Sequence, residues 1–216
     1  MHPIERLRYV ARAGSAPDSF LVAEAVPALN AFAHDPNAML VALKGLISRQ
    51  PESPGLLCLA AHMIHALEPV AAGWAFADSL EEDQTLDIAE TIAITEAGGT
   101  DVIDSIASGI DPQFDFDAET DISVLCPAGT TAWIAHAREA GRSVAVVTPL
   151  GSRLPALLWE RFRNHQERLG DGTSGHSGEH ELISLDVFDD VIGPTGLTPL
   201  DAWQSDSPDV AEVARF

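Results

Sequence analysis

The stretch DISVLCPAGTTAWIAHAREAGRSVAVVTP, Asp121 to Pro149, decides the fold class. Its two ends, ISVLC and SVAVV, are short apolar runs rich in β-branched residues, the composition of strands buried on both faces. Between them Pro127, Ala128 and Gly129 form a turn. Thr130 then caps a helix carrying Trp133, Ile134 and Ala137, and Gly141 stops it. Strand, helix and strand in that order predict a parallel sheet joined by right-handed crossovers.

The same rhythm extends in both directions. Downstream, PLGSRLP leads into a long helix from Ala156 to Leu169. The Gly-, Ser- and His-rich segment GDGTSGHSG (Gly170 to Gly178) reads as a loop, and ELISLDVF as a strand. Upstream, TIAIT (Thr91 to Thr95) reads as a strand and EAGG as a turn, with TDVIDSIASG as a helix capped at Thr100 and ended by Gly109. Before residue 90 the pattern is helical and broken by Pro. Asp35-Pro36 is a strong helix start, because the carboxylate takes orphan N–H groups and Pro loses no bond at the first position. Leu56 to Leu67 is apolar enough to sit at the centre of a helical lobe, and Pro27 is expected to bend or break the second helix. The expected architecture is α/β: a helical lobe, residues 1–89, followed by a Rossmann-like, mostly parallel sheet with helices on both faces, residues 90–216.

Charge excludes several function classes. The 216 residues carry 33 acidic and only 12 basic side chains, a net charge of −21. No Lys or Arg lies between Arg49 and Arg138, and Lys44 is the only lysine. Counter-ion release therefore cannot drive nucleic-acid binding, and neither a Walker-type phosphate lysine nor a Schiff-base lysine has a place. Cys58 and Cys126 are too few for a disulfide framework and suit reduced thiols. The first residues lack a signal-peptide core and no apolar run approaches about 18 residues. These features predict a cytoplasmic protein without membrane or nucleic-acid partners.

Several segments resemble the initiation factor 2B alpha/beta/delta group and the sugar-phosphate isomerases that share its fold. ITEAGGTDVIDSI (Ile94 to Ile106) is similar to that group's first-strand loop. SVAVVTPLGSRLP (Ser143 to Pro155) is similar to its late apolar strand and basic small-residue loop, and ISLDVFDDVIGPTGLTP (Ile183 to Pro199) to its acidic-apolar ending. The opening HPIERLRYVARA and the tail DSPDVAEVARF look like an actinobacterial branch of it. The isomerases use a Cys in a Thr-x-Cys-Asn-x-Gly loop and an Asp in a Gly-Ala-Asp loop; here the first loop is Thr95, Glu96, Ala97, Gly98, Gly99, and Gly-Ala-Asp is absent. The resemblance thus implies a degenerate, non-catalytic binding or interaction protein, whose partner is a second copy of itself in a homo-oligomer or another protein. The alternative it leaves is a phosphosugar isomerase or a related enzyme that binds small anions.

Ligands of such folds sit at the carboxyl ends of parallel strands. That rule nominates Gly98, Gly99 and Thr100, then Gly129 and Thr130, then Ser152 and Arg153, as walls of one cleft for a small anion. The Gly98 turn opens what reads as a helix, where free N–H groups attract anions, though Glu96 and Asp101 oppose this. Arg153 is the one cation expected at that edge, and an exposed one. Cys126, at a strand end, is the weak candidate for a reactive group. No cofactor is implied. His62 and His65 stand three apart on an apolar helix with no further ligand at a fixed spacing, and His176 and His180 lie on or beside the loop, so no metal site is expected. Asp115, Asp117, Glu119 and Asp121 alternate as in half an EF-hand loop, but Thr120 and Cys126 replace the required Gly and Glu, leaving a solvated acidic linker.

Overall fold

A computed structural model describes residues 2–13, 16–95, 99–105, 107–110, 122–170 and 180–203. The chain divides between Glu82 and Asp83 into two compact units.

The first unit is helical: α1 (Pro3–Val10), α2 (Asp18–Leu29), α3 (Pro36–Arg49), α4 (Pro54–His65) and α5 (Pro69–Glu81). Four of these begin on proline, whose missing N–H is an orphan at that position anyway. Asp35 caps α3 through the N–H groups of Asn37 and Ala38 at 3.1 and 3.0 Å. Ser53 caps α4 at Leu56 N, 3.2 Å away. Asp18 reinforces that same helix start, accepting from Ser53 Oγ and, at 2.8 Å, from Gly55 N. Helix α4 is central: Leu56 through Ala61 are buried without interruption. Helix α2 continues through Pro27 to Leu29 and tightens into a 3-10 turn at Asn30–Phe32, so the proline does not break it.

The second unit opens with α6 (Thr85–Thr95), followed by β1 (Thr100–Asp104), β2 (Ala107–Ile110), β3 (Ile122–Pro127), α7 (Thr130–Glu139), β4 (Ser143–Val147), β5 (Arg153–Leu154), α8 (Ala156–Gly170), β6 (His180–Ser184), β7 (Asp190–Gly193) and β8 (Gly196–Pro199). The strands form two four-stranded sheets, ordered β1-β4-β7-β8 and β5-β2-β3-β6. In the first, β1, β4 and β7 run parallel and β8 returns antiparallel. In the second, β3 is antiparallel to both β2 and β6.

Strand β4 runs through the middle of the core. Val144 and Val146 face one side, with Ile134 and Ala137 of α7 and with Ile122, Val124 and Cys126 of β3. Ala145 and Val147 face the other, with Ala89 of α6. The parallel strands therefore have helices on both faces, as an α/β, Rossmann-like fold requires.

Three local readings change. TIAIT is the last turn and a half of α6: Ile88, Ala89 and Ile92 meet the sheet at helical spacing, and this packing overrides the strand preference of Thr and Ile. TDVIDSIASG is not a helix but β1 and β2, with Val102 and Ile103 pointing to opposite faces. The decisive stretch contains the elements read from it, yet its strands join different sheets, β3 antiparallel and β4 parallel. With α6 packed on the sheet, the α/β unit starts at Asp83 rather than residue 90.

Candidate functional site

Parallel register sets the carboxyl edge of the first sheet. Thr100 pairs with Ser143 and Asp104 with Val147, so the chain leaves β4 into Thr148–Arg153 at the end where β1 also finishes. This turn is held tightly. Thr148 N donates to Ile192 O at 2.9 Å, and Leu150 N donates at 2.8 Å to Asp83 Oδ2. Ser152 Oγ donates to Pro149 O at 2.8 Å. Asp83 also accepts from Thr85 N at 2.9 Å, so one carboxylate fixes both the start of α6 and the turn after β4.

Arg153 is at this edge but is not exposed; its relative accessibility is 6%. Its Nε donates to Thr148 O at 3.1 Å and its guanidinium carbon lies 5.5 Å from the centre of the Trp203 ring. The side chain passes so close to Gly193 that a Cβ there would come within 2.5 Å of Arg153 Nη2. Glycine at the end of β7 is thus the space the guanidinium occupies. Ser152 is also buried, with its hydroxyl committed to the turn.

The Gly129–Thr130 turn shares that edge. Antiparallel pairing of Ala107 with Leu125 puts the end of β3 toward Ser105, whose Oγ donates to Val147 O at 2.5 Å. Gly129 adopts φ +90°, a left-handed conformation that glycine reaches without strain, and Thr130 Oγ1 donates to Pro127 O at 2.7 Å. The N-terminus of α7 already holds a carboxylate: Glu181 Oε1, from the edge strand β6, accepts from Thr131 N at 2.5 Å. A helix start with its partial positive charge is where an anion would bind, and here the chain supplies its own.

Gly99 and Thr100 do not join this group. They lie at the start of β1, at the opposite end of the parallel strands, five residues or roughly 17 Å away at about 3.3 Å per residue. Thr100 starts a strand rather than a helix, so the helix N-terminus expected there does not exist. Gly99 O instead accepts from Ser143 N at 3.0 Å. Asp101, expected to repel an anion, is buried and ion-paired with Arg142. Gly98 lies outside the described residues, as do the acidic run from Asp115 to Asp121 and His176.

Cys126 belongs to the core rather than the cleft. It is fully buried between the sheets, and burial first, then the negative charge of Glu181, pushes its thiol up to about 12. The thiolate that nucleophilic chemistry needs is therefore absent near neutrality. Cys58 is likewise buried and its thiol raised, by burial and by Asp18. His62 is half-buried and stacks on Phe76 with ring centres 4.5 Å apart, and burial lowers its pKa and so favours its neutral form. Among the described residues no group of three His, Cys, Asp or Glu side chains is placed to hold a metal, and no helix is long and apolar enough to cross a membrane.

Three residues that shape the edge had no local signal. Glu181 reads as one polar position of a strand, Gly193 as part of a Gly turn, and Asp83 as a helix cap. Only the strand register brings the first to α7, the second under Arg153 and the third to Leu150.

This architecture is similar to that of solved initiation factor 2B structures. The beta subunit of eIF2B from Chaetomium thermophilum superposes with a TM-score of 0.58 over 95% of this chain and 93% of its own, at 9% sequence identity. The translation initiation factor eIF-2B of Pyrococcus horikoshii OT3 gives 0.56 over 93% and 98%, at 11% identity. The tetrameric eIF2B-beta2-delta2 complex of C. thermophilum gives 0.52 over 93% and 91%, at 12% identity. No family model matches the sequence, and no curated protein does. The chain thus has an eIF2B-like fold.

Proposed function

We infer that the chain is an eIF2B-like binding protein without catalytic activity, acting in the cytoplasm by self-association or by docking another protein, with no cofactor and no nucleic-acid or membrane partner. The observation that carries this reading is Glu181 on the N-terminus of α7: the protein's own carboxylate takes the Thr131 N–H and places its negative charge where an anionic substrate would sit. Cys126 in the core and Arg153 in its sleeve beside Gly193 add to it, since a reactive thiol and a substrate clamp need access. One structural neighbour is described as a tetrameric complex. Trp133 on α7, Leu182 on β6 and Leu197 on β8 each leave about two fifths of their surface in water, apolar area suited to an interface.

A second reading, a sugar-phosphate isomerase or another enzyme binding a small anion, is favoured by one fact: Arg153 stands at the carboxyl edge where ligands of α/β folds gather. Two measurements on the purified full chain separate the readings. Light scattering should give a multiple of the 23.0 kDa monomer mass, and ribose 1-phosphate or ribose 5-phosphate should leave the thermal midpoint unchanged, because a ligand of the native state must raise it. A monomer whose midpoint climbs with sugar phosphate, with aldose–ketose turnover, would reverse the assignment.

A further inference from the structure

The helical unit carries a groove that the edge described above does not use. Between α1 and α3 lies an opening of about 150 Å³, floored by Ile4, Leu7, Val41 and Leu46 and rimmed by Arg8 and Arg49. Its volume is several times the ~30 Å³ share of a water molecule, the scale of one large apolar side chain. Ile4 is 46% and Val41 69% exposed, so the floor is half-open apolar surface.

Two observations indicate what fits it. The first is charge. Although acids outnumber bases 33 to 12 in the chain, both charged residues lining this groove are arginines. Arg49 makes no ion pair among the described residues. Among the described residues Arg8 is held only by Glu5, in an exposed pair, the kind that exchanges readily for a better-placed acceptor. A larger neighbouring pocket of about 510 Å³ shares Ala11 and Arg49 with the groove but sets Asp18 and Glu52 beside Arg12, so the positive lining is particular to the groove.

The second is Gly45. A glycine inside a helix weakens it relative to alanine, and elsewhere in this unit such glycines are explained by packing. A Cβ on Gly55 would meet Asp18 Cβ at 2.7 Å, and one on Gly73 would meet Met63 Sδ at 3.1 Å. At Gly45, which lines the groove, a Cβ would meet nothing within 4 Å. Nothing among the described residues fills the space that this glycine leaves open.

We propose that the α1–α3 groove binds an acidic segment of a partner protein, seating one apolar side chain over Gly45 while neighbouring carboxylates pair with Arg8 and Arg49. Arginine's planar fork suits carboxylates, and both charged residues that line the groove would repel a basic segment. The chain's overall negative charge does not prevent docking, because at 0.15 M salt fields decay over about 8 Å and the local guanidinium groups dominate at contact. The proposal rests on the interaction reading above but concerns a different unit, so self-association can hold while the groove fails.

The test is a fluorescence-anisotropy titration of the full chain with three labelled peptides. One sets Leu and Phe among Asp and Glu; a second replaces its acids by Asn and Gln; a third replaces its Leu and Phe by Ser. Only the first should bind saturably, and Arg49→Glu should weaken it by about tenfold or more. Gly45→Phe should weaken it as much while leaving the thermal midpoint the same or higher, which separates a plugged groove from a damaged fold. Three results would overturn the proposal: equal binding of the first two peptides, wild-type affinity in both variants, or no saturable binding of the first peptide up to about 1 mM. If the peptides fail while light scattering still reports an assembly, the groove is refuted and the interaction reading stands.

Discussion

Gly193→Ala places a methyl group 2.5 Å from Arg153 Nη2, whereas ordinary contact begins near 3.4 Å. The guanidinium must withdraw by roughly 1 Å, which takes its Nε, now 3.1 Å from Thr148 O, out of hydrogen-bond range. A hydrogen bond from a charged group contributes about 1.5–3 kcal/mol, and the contact over Trp203 roughly 0.5–2 kcal/mol. Since the displaced side chain recovers part of this in water, Gly193→Ala should destabilise the α/β unit by about 2–3 kcal/mol. Arg153→Ala should cost about 3 kcal/mol, not the ~1 kcal/mol or less that a surface arginine contributes. The double variant should cost hardly more than Arg153→Ala alone, because the added methyl then has nothing to strike. Urea denaturation of the four proteins measures the coupling, with hydrogen exchange on β4 and β7 identifying the unit that loosens. Additivity within about 0.5 kcal/mol, the value for independent sites, would refute the claim that Gly193 exists to admit Arg153.

Three further outcomes follow from the same placements. Both cysteines should resist a thiol reagent in the native protein at pH 8 and react only on unfolding; rapid labelling of Cys126 would contradict its buried position. Glu181→Ala should cost about 1 kcal/mol in urea denaturation through loss of the carboxylate at the α7 start, and an unchanged midpoint would mean that bond contributes nothing. Burial raises the Asp18 carboxyl above 3.8, against the lowering effect of its Ser53 and Gly55 bonds, so folding favours the protonated acid. Its contribution is complete below pH 3.8 and is lost as pH climbs through the raised folded value. Wild type should therefore lose stability relative to Asp18→Asn across that window, and a relative gain would show that the two hydrogen bonds outweigh burial.

The sequence reveals the layers of this fold better than its pairings. Asp35-Pro36, the apolar run from Leu56, and the turn before Thr130 are local signals, and each produced its element. Alternation of Val144 and Val146 against Ala145 and Val147 is invisible as a pattern because all four are apolar; it says only that both faces are covered. TIAIT misleads for the complementary reason: its β-branched residues favour a strand alone, and become helix because Ile88, Ala89 and Ile92 meet a sheet whose partners lie some fifty and a hundred residues away. At the candidate edge, the burial of Arg153 depends on Gly193 and Trp203, and nothing near Thr130 in sequence announces Glu181.

The order in which the chain visits its two sheets has a kinetic consequence. After β1 it crosses to the second sheet for β2 and β3, returns for β4, crosses again for β5 and β6, and closes the first sheet with β7 and β8. The first sheet cannot be completed until the chain has supplied every strand of the second, and the β1–β4 and β3–β6 pairings close loops of roughly forty and sixty residues. Loop-closure entropy must be met before those pairings return anything, which places the unit among slow folders of high contact order. Its α/β half should therefore refold as one late, cooperative step, and a fragment ending before β6 would expose unfinished edges of both sheets at once, the condition under which chains aggregate.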